Sequence, residues 1–410
     1  MTGTTIAQAI PIAISPILTR LYSPEEFGLF ALFLATVSIF GVVATMRYEM
    51  AIVQPEKSED AINLVLLSAI ISTAISLALF ICVFVFKTEI QNLLGNTDIG
   101  IWLYWVPLAV LLIGLHKSLN YWHVRTKQFG MIAKSKVAKG ASMASTQVGL
   151  GAMAIAGGLI FGYVVGFFVA VLMLLRSLIA EKDFSITRFE KSRLLKNAKK
   201  YKKMPQYSAL GALSNTISSQ MPVLVISKVY EMSVAGFFSL TIRVLSAPMS
   251  LVSEAVGQVL LQKLAEMHNT DPAKMKPLVI KIFLILTLIM VPFTVLIFVF
   301  GEDVFAFIFG ELWREAGAMA SIFVFSVAIR FAVSPLSMVL TLEHNVRLGV
   351  IWQSIYLATI SCILFVFSSL PINELIIALV AHDVVLYLLY FFLILKGSES
   401  LGAKVGALGE

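Results

Sequence analysis

The chain has 410 residues, of which 59% are hydrophobic and only 13% charged, and its mean hydropathy is +0.90. Soluble domains carry about 25% charged residues, so this composition excludes an ordinary water-soluble globule. At roughly 20 apolar residues per membrane crossing, the length accommodates about a dozen spans and leaves no room for a soluble domain beside them.

The first apolar segment, Met1 to Leu18, lacks the basic n-region and small-residue cleavage site of a signal peptide and reads as a retained span. It begins abruptly, without a short cytoplasmic lead, which leaves open whether Met1 is the true start. Apolar runs predict spans over 2–19, 27–46, 62–86, 101–119, 138–157 and 159–180. A charged stretch follows, and then spans over 205–227, 234–260, 278–300, 316–340, 350–369 and 375–395. The expected organisation is an N-terminal six-helix lobe (1–180), a basic cytoplasmic linker (181–204), a C-terminal six-helix lobe (205–395) and a cytoplasmic tail (396–410). Cys82 and Cys362 lie inside apolar runs with no metal-ligand spacing and read as packing residues.

Lys and Arg near span ends are retained on the cytoplasmic side. With the N-terminus inside, most basic residues fall on that side, whereas Arg20, Lys87, Lys228 and Arg314 fall on the other. This bias predicts that both termini are cytoplasmic and accounts for the net charge of +7 without invoking nucleic acid. The most basic stretch, Lys191 to Met204, reads the same way, as a linker lying against anionic headgroups.

An internal repeat emerges at an offset of 208 residues. Arg20, Tyr22, Gly28, Phe30 and Leu32 face Lys228, Tyr230, Gly236, Phe238 and Leu240 without a gap. Two halves with an even number of spans keep one orientation, which implies parallel repeats about an axis along the membrane normal.

Ionisable side chains inside spans are costly unless they face a bundle interior or a water-filled cavity, so they point to function. On the eighth span Arg243, Ser246, Ser250 and Glu254 recur on one helical face, and on the tenth Arg330, Ser334, Ser337 and Thr341 do the same. The seventh span carries Ser208, Asn215, Ser218 and Ser219, and the first Thr4, Gln8 and Ser15. Arg47, Glu49, Arg176 and Lys281 lie nearer the interface, where they could snorkel. The candidate substrate path is thus Arg243, Arg330, Arg47, Arg176, Lys281, Asn215, Gln8, Ser250 and Ser334. Serines at such places also serve plain helix packing, and Arg243 could instead pair internally with Glu254. Glu254, Asp383 and His382 are candidates for a coupling ion, H+ or Na+. No phosphate loop of the G-x-x-x-x-G-K-[ST] type occurs, so ATP is not the expected driver. No metal site, cofactor or catalytic residue is expected.

The opening GTTIAQAIPIAISPILTRLYSPEEFGLFALF, then MRYEMAIV and KSEDAINL, resembles the start of the Wzx-type polysaccharide flippases of the multidrug, oligosaccharidyl-lipid and polysaccharide exporter superfamily. SSQMPVLVISKVYEMSVAGFFSLTIRVLSAPMSLVSEAVGQV and FGELWREAG followed by IRFAVSPLSMVL extend the likeness through the second half. The resemblance implies an all-α integral membrane protein of about twelve helices in two lobes around a V-shaped, alternating-access cavity. It also implies transfer of undecaprenyl-pyrophosphate-linked oligosaccharide across the bacterial inner membrane for O-antigen, capsule or related polymers. A polysaccharide polymerase and a chain-length regulator are the implied partners, beside membrane lipids. Arg suits the pyrophosphate through bidentate hydrogen bonds, and hydroxyls and amides suit the sugar. A cation-coupled drug exporter of the same superfamily and a polytopic polysaccharide polymerase or ligase remain the alternative readings.

Overall fold

The computed structural model describes residues 9–181, 190–270, 274–341 and 346–406, and among them there is no strand. The chain divides into two compact units, Met1–Gly236 and Phe237–Glu410.

In the first unit the helices are α1 (Ser15–Leu21), α2 (Pro24–Val43), α3 (Ser58–Leu94), α4 (Trp105–Arg125), α5 (Phe129–Ala152), α6 (Gly158–Ala180), α7 (Lys191–Lys200) and α8 (Leu210–Val229). Helix α9 (Met232–Thr270) starts there and runs into the second unit, which holds α10 (Met275–Phe309), α11 (Arg314–Val333), α12 (Val346–Phe367) and α13 (Ile372–Gly406).

Local chemistry sets several of these boundaries. Ser23 and Glu26 form a reciprocal capping box at the start of α2, with Pro24 in the first turn. Helix α3 ends at Gly95, whose φ of +70° suits a residue without a Cβ. Large apolar side chains such as Phe84, Leu77, Leu288 and Phe365 point outward rather than into a core. Such a surface is stable only where lipid replaces water.

Among the described residues, eight helical segments are long and apolar enough to cross a membrane: Pro24–Val43, Ser58–Leu94, Asp98–Arg125, Gly158–Ala180, Met204–Val229, Met275–Phe309, Glu311–Leu340 and Ile372–Ser398. Met232–Ala247 and Ile351–Phe367 are shorter apolar helices at two further expected spans. The expected span 138–157 lies mostly within α5, whose hydropathy is lowered by Lys134, Lys136 and Lys139. The first expected span ends in α1, and residues 1–8 lie outside the described part.

The sequence repeat has a physical counterpart inside the first unit, where α2 crosses the beginning of α9. A Cβ on Gly28 would lie 2.0 Å from the Met232 carbonyl oxygen, and a Cβ on Gly236 would lie 1.9 Å from the Pro24 carbonyl oxygen. Gly28 and Gly236 are repeat mates at the same offset, and so are Pro24 and Met232. Each half of the repeat thus supplies one glycine and one carbonyl to a reciprocal contact. In a bilayer, where burial of apolar area between helices gains little, such backbone approach is a main source of association. Replacing Gly28 or Gly236 by Leu should destabilise the protein by about 1–3 kcal/mol. Thermal unfolding in detergent measures this; Gly149→Ala, at a helical glycine with open space around it, should leave the midpoint unchanged or raised.

Candidate functional site

The second unit contains a closed polar network. Ser326 and Arg330 stand one helical turn apart on α11, Tyr356 lies on α12, and His382 and Asp383 on α13. Asp383 is buried, and Arg330 Nη2 donates to its Oδ2 at 2.7 Å. The Ser326 hydroxyl donates to the same oxygen, while the Tyr356 hydroxyl donates to Oδ1 at 2.8 Å. Arg330 Nη2 also reaches the Tyr356 hydroxyl at 2.5 Å, and its guanidinium lies 5.8 and 5.4 Å from the ring centroids of Tyr356 and Tyr387. His382 Nε2 meets Thr359 Oγ1 at 2.9 Å, and its Nδ1 lies 3.6 Å from Asp383. Trp352 stacks on Tyr390 at 4.2 Å beside this cluster.

Two residues proposed from sequence for different tasks, Arg330 for substrate and Asp383 for a coupling ion, are therefore partners. Asp383 is almost fully buried, whereas 38% of the Arg330 side chain is accessible. Its Nε has no hydrogen-bond partner. Breaking a buried ion pair from one side strands the other charge, so Asp383→Asn or Arg330→Gln should each cost roughly 3–5 kcal/mol. The double variant should lose less than the sum of the two. A double-mutant cycle on thermal unfolding reads this directly.

The first unit holds a different arrangement. After α2 the backbone turns through two left-handed residues, Met46 (φ 47°) and Arg47 (φ 65°), neither of them glycine. Such conformations store strain and are retained where the surroundings over-determine them. The turn delivers Arg47 beside Glu49, at 3.6 Å. Glu49 is buried and accepts a hydrogen bond from the Thr45 hydroxyl. Lys117 on α4 lies near this pair and donates to the Gly41 carbonyl at 2.8 Å. Lys139 on α5 sits 4.3 Å from the centroid of Phe167, whose edge also meets the His116 ring. The charges of Lys139, Lys136 and Lys117 all act on His116.

Arg47 and Lys117 thus share the carboxylate of Glu49, while Lys136 and Lys139 stand by His116, the residue next to Lys117 on α4. Among the described residues, neither Lys117 nor Lys139 has an ion-pair partner, and Arg47 Nε, His116 Nε2 and Asn120 Oδ1 have no hydrogen-bond partner. Partly buried cations in excess of carboxylates, with polar atoms left unpaired, are a candidate anion site. Sequence reasoning singled out Arg47 but not Lys117 or Lys139, which fall at the edges of the expected spans 101–119 and 138–157. The available signal was that both lie two or more turns inside helical runs.

The remaining candidates are dispersed. Arg176 is exposed and lines a groove of about 530 Å³ with Met131 and Met173. Lys281 is exposed on α10, in a shallow apolar groove with Ile280 and Leu284. Arg243 is half-buried on α9. Asn215 is exposed on α8, Ser218 is buried and donates to the Ser214 carbonyl, and Ser334 is half-buried and accepts from Ser337 at its carbonyl. Gln8 and the side chains of Ser250 and Glu254 lie outside the described residues.

A family profile described as "Polysaccharide biosynthesis protein" matches residues 17–318. The chain belongs to this polysaccharide biosynthesis family. A curated relative, the succinoglycan biosynthesis transport protein ExoT of Rhizobium meliloti (strain 1021), is 24% identical over 323 residues, 77% of this chain and 62% of that protein. The family member described here thus spans less than two thirds of that relative's length. Among solved structures, the lipid II flippase MurJ in an inward closed conformation superposes with a TM-score of 0.76 at 14% identity, over 98% of this chain and 90% of that one. An inward-facing multidrug resistance MATE family transporter of the MOP superfamily gives 0.67 at 15% identity, over 96% and 95%. The fold is that of this superfamily, and the resemblance read from the opening and middle segments is borne out.

Proposed function

We propose that this protein moves undecaprenyl-pyrophosphate-linked oligosaccharide from the cytoplasmic to the periplasmic leaflet of the bacterial inner membrane, for surface polysaccharide assembly. The observation that carries this reading is the excess of cations in the first unit, Arg47 and Lys117 beside Glu49 and Lys136 and Lys139 beside His116. A diphosphate headgroup supplies a counter-charge for Lys117 and Lys139, which have no ion-pair partner among the described residues, and its oxygens accept from several donors at once. The sugar's hydroxyls match the uncharged donors and acceptors nearby, such as Asn120 and His116. The prenyl chain remains in lipid, against the apolar exterior. Family membership and a curated relative named as a polysaccharide transport protein support a translocator rather than an enzyme.

A cation-coupled drug exporter needs a carboxylate free to exchange ions. Asp383, the carboxylate of the last span, is instead engaged by Arg330, Ser326 and Tyr356. That engagement, with the family match, favours the flippase reading. The polymerase and chain-length regulator implied by that role belong to the same proposal.

Reconstitution with labelled lipid-linked oligosaccharide tests it by following leaflet exchange. Lys117→Gln with Lys139→Gln should slow exchange at least about tenfold, about 1.4 kcal/mol, while thermal unfolding stays near that of the parent. Drug efflux without lipid exchange, or unchanged exchange in the double variant, would contradict the reading.

A further inference from the structure

Helix α7 separates its charges by face. Its inward side, Arg193, Leu194, Asn197 and Ala198, is half-buried or buried against the first unit. Arg193 pairs with Glu59 and with Glu190, the latter at 2.5 Å, and Asn197 Nδ2 donates to Asp60 at 3.3 Å. The Tyr48 hydroxyl donates to the Ala198 carbonyl at 3.0 Å. Hydrogen bonds from Ser192 and Arg193 hold the Glu190 carboxyl below its ordinary range, so this acid stays charged and occupied. Among the described residues, Glu59, Asp60 and Glu190 are thus already engaged by Arg193, Asn197 and Ser192.

The outward side is Lys191, Lys196, Lys199 and Lys200, all exposed, with Leu195 52% exposed in their midst and no acid among them. The depth of this face is fixed from two directions. Glu59 and Asp60 belong to the first turn of the span Ser58–Leu94, and four residues after α7 the next span begins at Met204. The helix therefore lies at the level where spans enter the bilayer, pinned by its polar partners to the end of one of them.

We propose that the outward face of α7 is a docking surface for anionic phospholipid headgroups, with Leu195 inserted among them. Four lysines on a rigid, pre-positioned helix give additive attraction to an anionic surface, roughly fivefold in partitioning for each charge near the headgroups. The long lysine stems reach the phosphates while Leu195 covers acyl-chain surface. Because α7 is tied to the start of α3 and leads into the span containing α8, binding there would hold the entry of both spans in place. This goes beyond the transport reading and stands without it.

The test uses the full-length protein in nanodiscs, carrying an environment-sensitive fluorophore at Lys199→Cys in a Cys82→Ser, Cys362→Ser background. Replacing phosphatidylcholine stepwise by phosphatidylglycerol should shift the emission to the blue, and high salt should reverse the shift. In the same background, Lys191→Gln with Lys196→Gln and Lys200→Gln should require a several-fold higher anionic fraction for the half-maximal shift. The corresponding three Lys→Arg replacements should restore the parent response, which separates charge from misfolding. An emission indifferent to lipid charge in the parent, or an equal response in the glutamine variant, would overturn the proposal. Binding of RNA or of an acidic protein by this face, with no effect of phosphatidylglycerol, would overturn it as well.

Discussion

A charge inside hydrocarbon must find an opposite charge, a set of hydrogen-bond partners or water. The two units meet this constraint differently. In the second, Arg330 and Asp383 neutralise each other, and Ser326, Tyr356 and His382 surround the carboxylate. In the first, Arg47 and Lys117 share Glu49, Lys136 and Lys139 stand by His116 without a carboxylate, and polar atoms of Arg47, His116 and Asn120 are left over. Holding partly buried cations without matching carboxylates is unfavourable, and a multiply charged anion would relieve that cost. This asymmetry is the ground for proposing structural work for one network and binding for the other.

The helical framework supplies the rigidity both networks need. The reciprocal approach of α2 and α9 at Gly28 and Gly236 brings backbones together where larger side chains cannot fit. Arg47 follows α2 directly, so this packing also fixes where the left-handed turn begins. Smaller polar locks act alongside it. Tyr22 donates to the Gln147 carbonyl at 2.6 Å, Ser76 to the Pro107 carbonyl at 2.6 Å, and Trp122 to Glu181 at 2.8 Å. Each joins two helices by one hydrogen bond that water does not contest.

The architecture was largely legible in the sequence because span length and apolar character are set by bilayer thickness. The repeat was legible too, through Gly28 and Gly236, since only glycine permits the contact. The sites were less so. Arg330 and Asp383 were each singled out as charges within spans, but their pairing joins helices separated by more than 50 residues, which periodicity on one helix cannot reveal. Lys117 and Lys139 were hidden because each stands at the edge of an expected span, 101–119 and 138–157, although both lie two or more turns inside their helices. Arg176 and Lys281, chosen by the same reasoning as Arg330, are exposed at the periphery. An intramembrane charge signals a constraint, and only its neighbours tell which one.

In the proposed function, the first unit's unpaired cations receive an anionic headgroup. Equilibrium binding to a series of prenyl lipids that share one chain and differ only in headgroup charge tests it most directly. Affinity should rise from the neutral alcohol through the monophosphate to the diphosphate, with a salt dependence that steepens in the same order. Equal affinity across the series, independent of salt, would contradict the account.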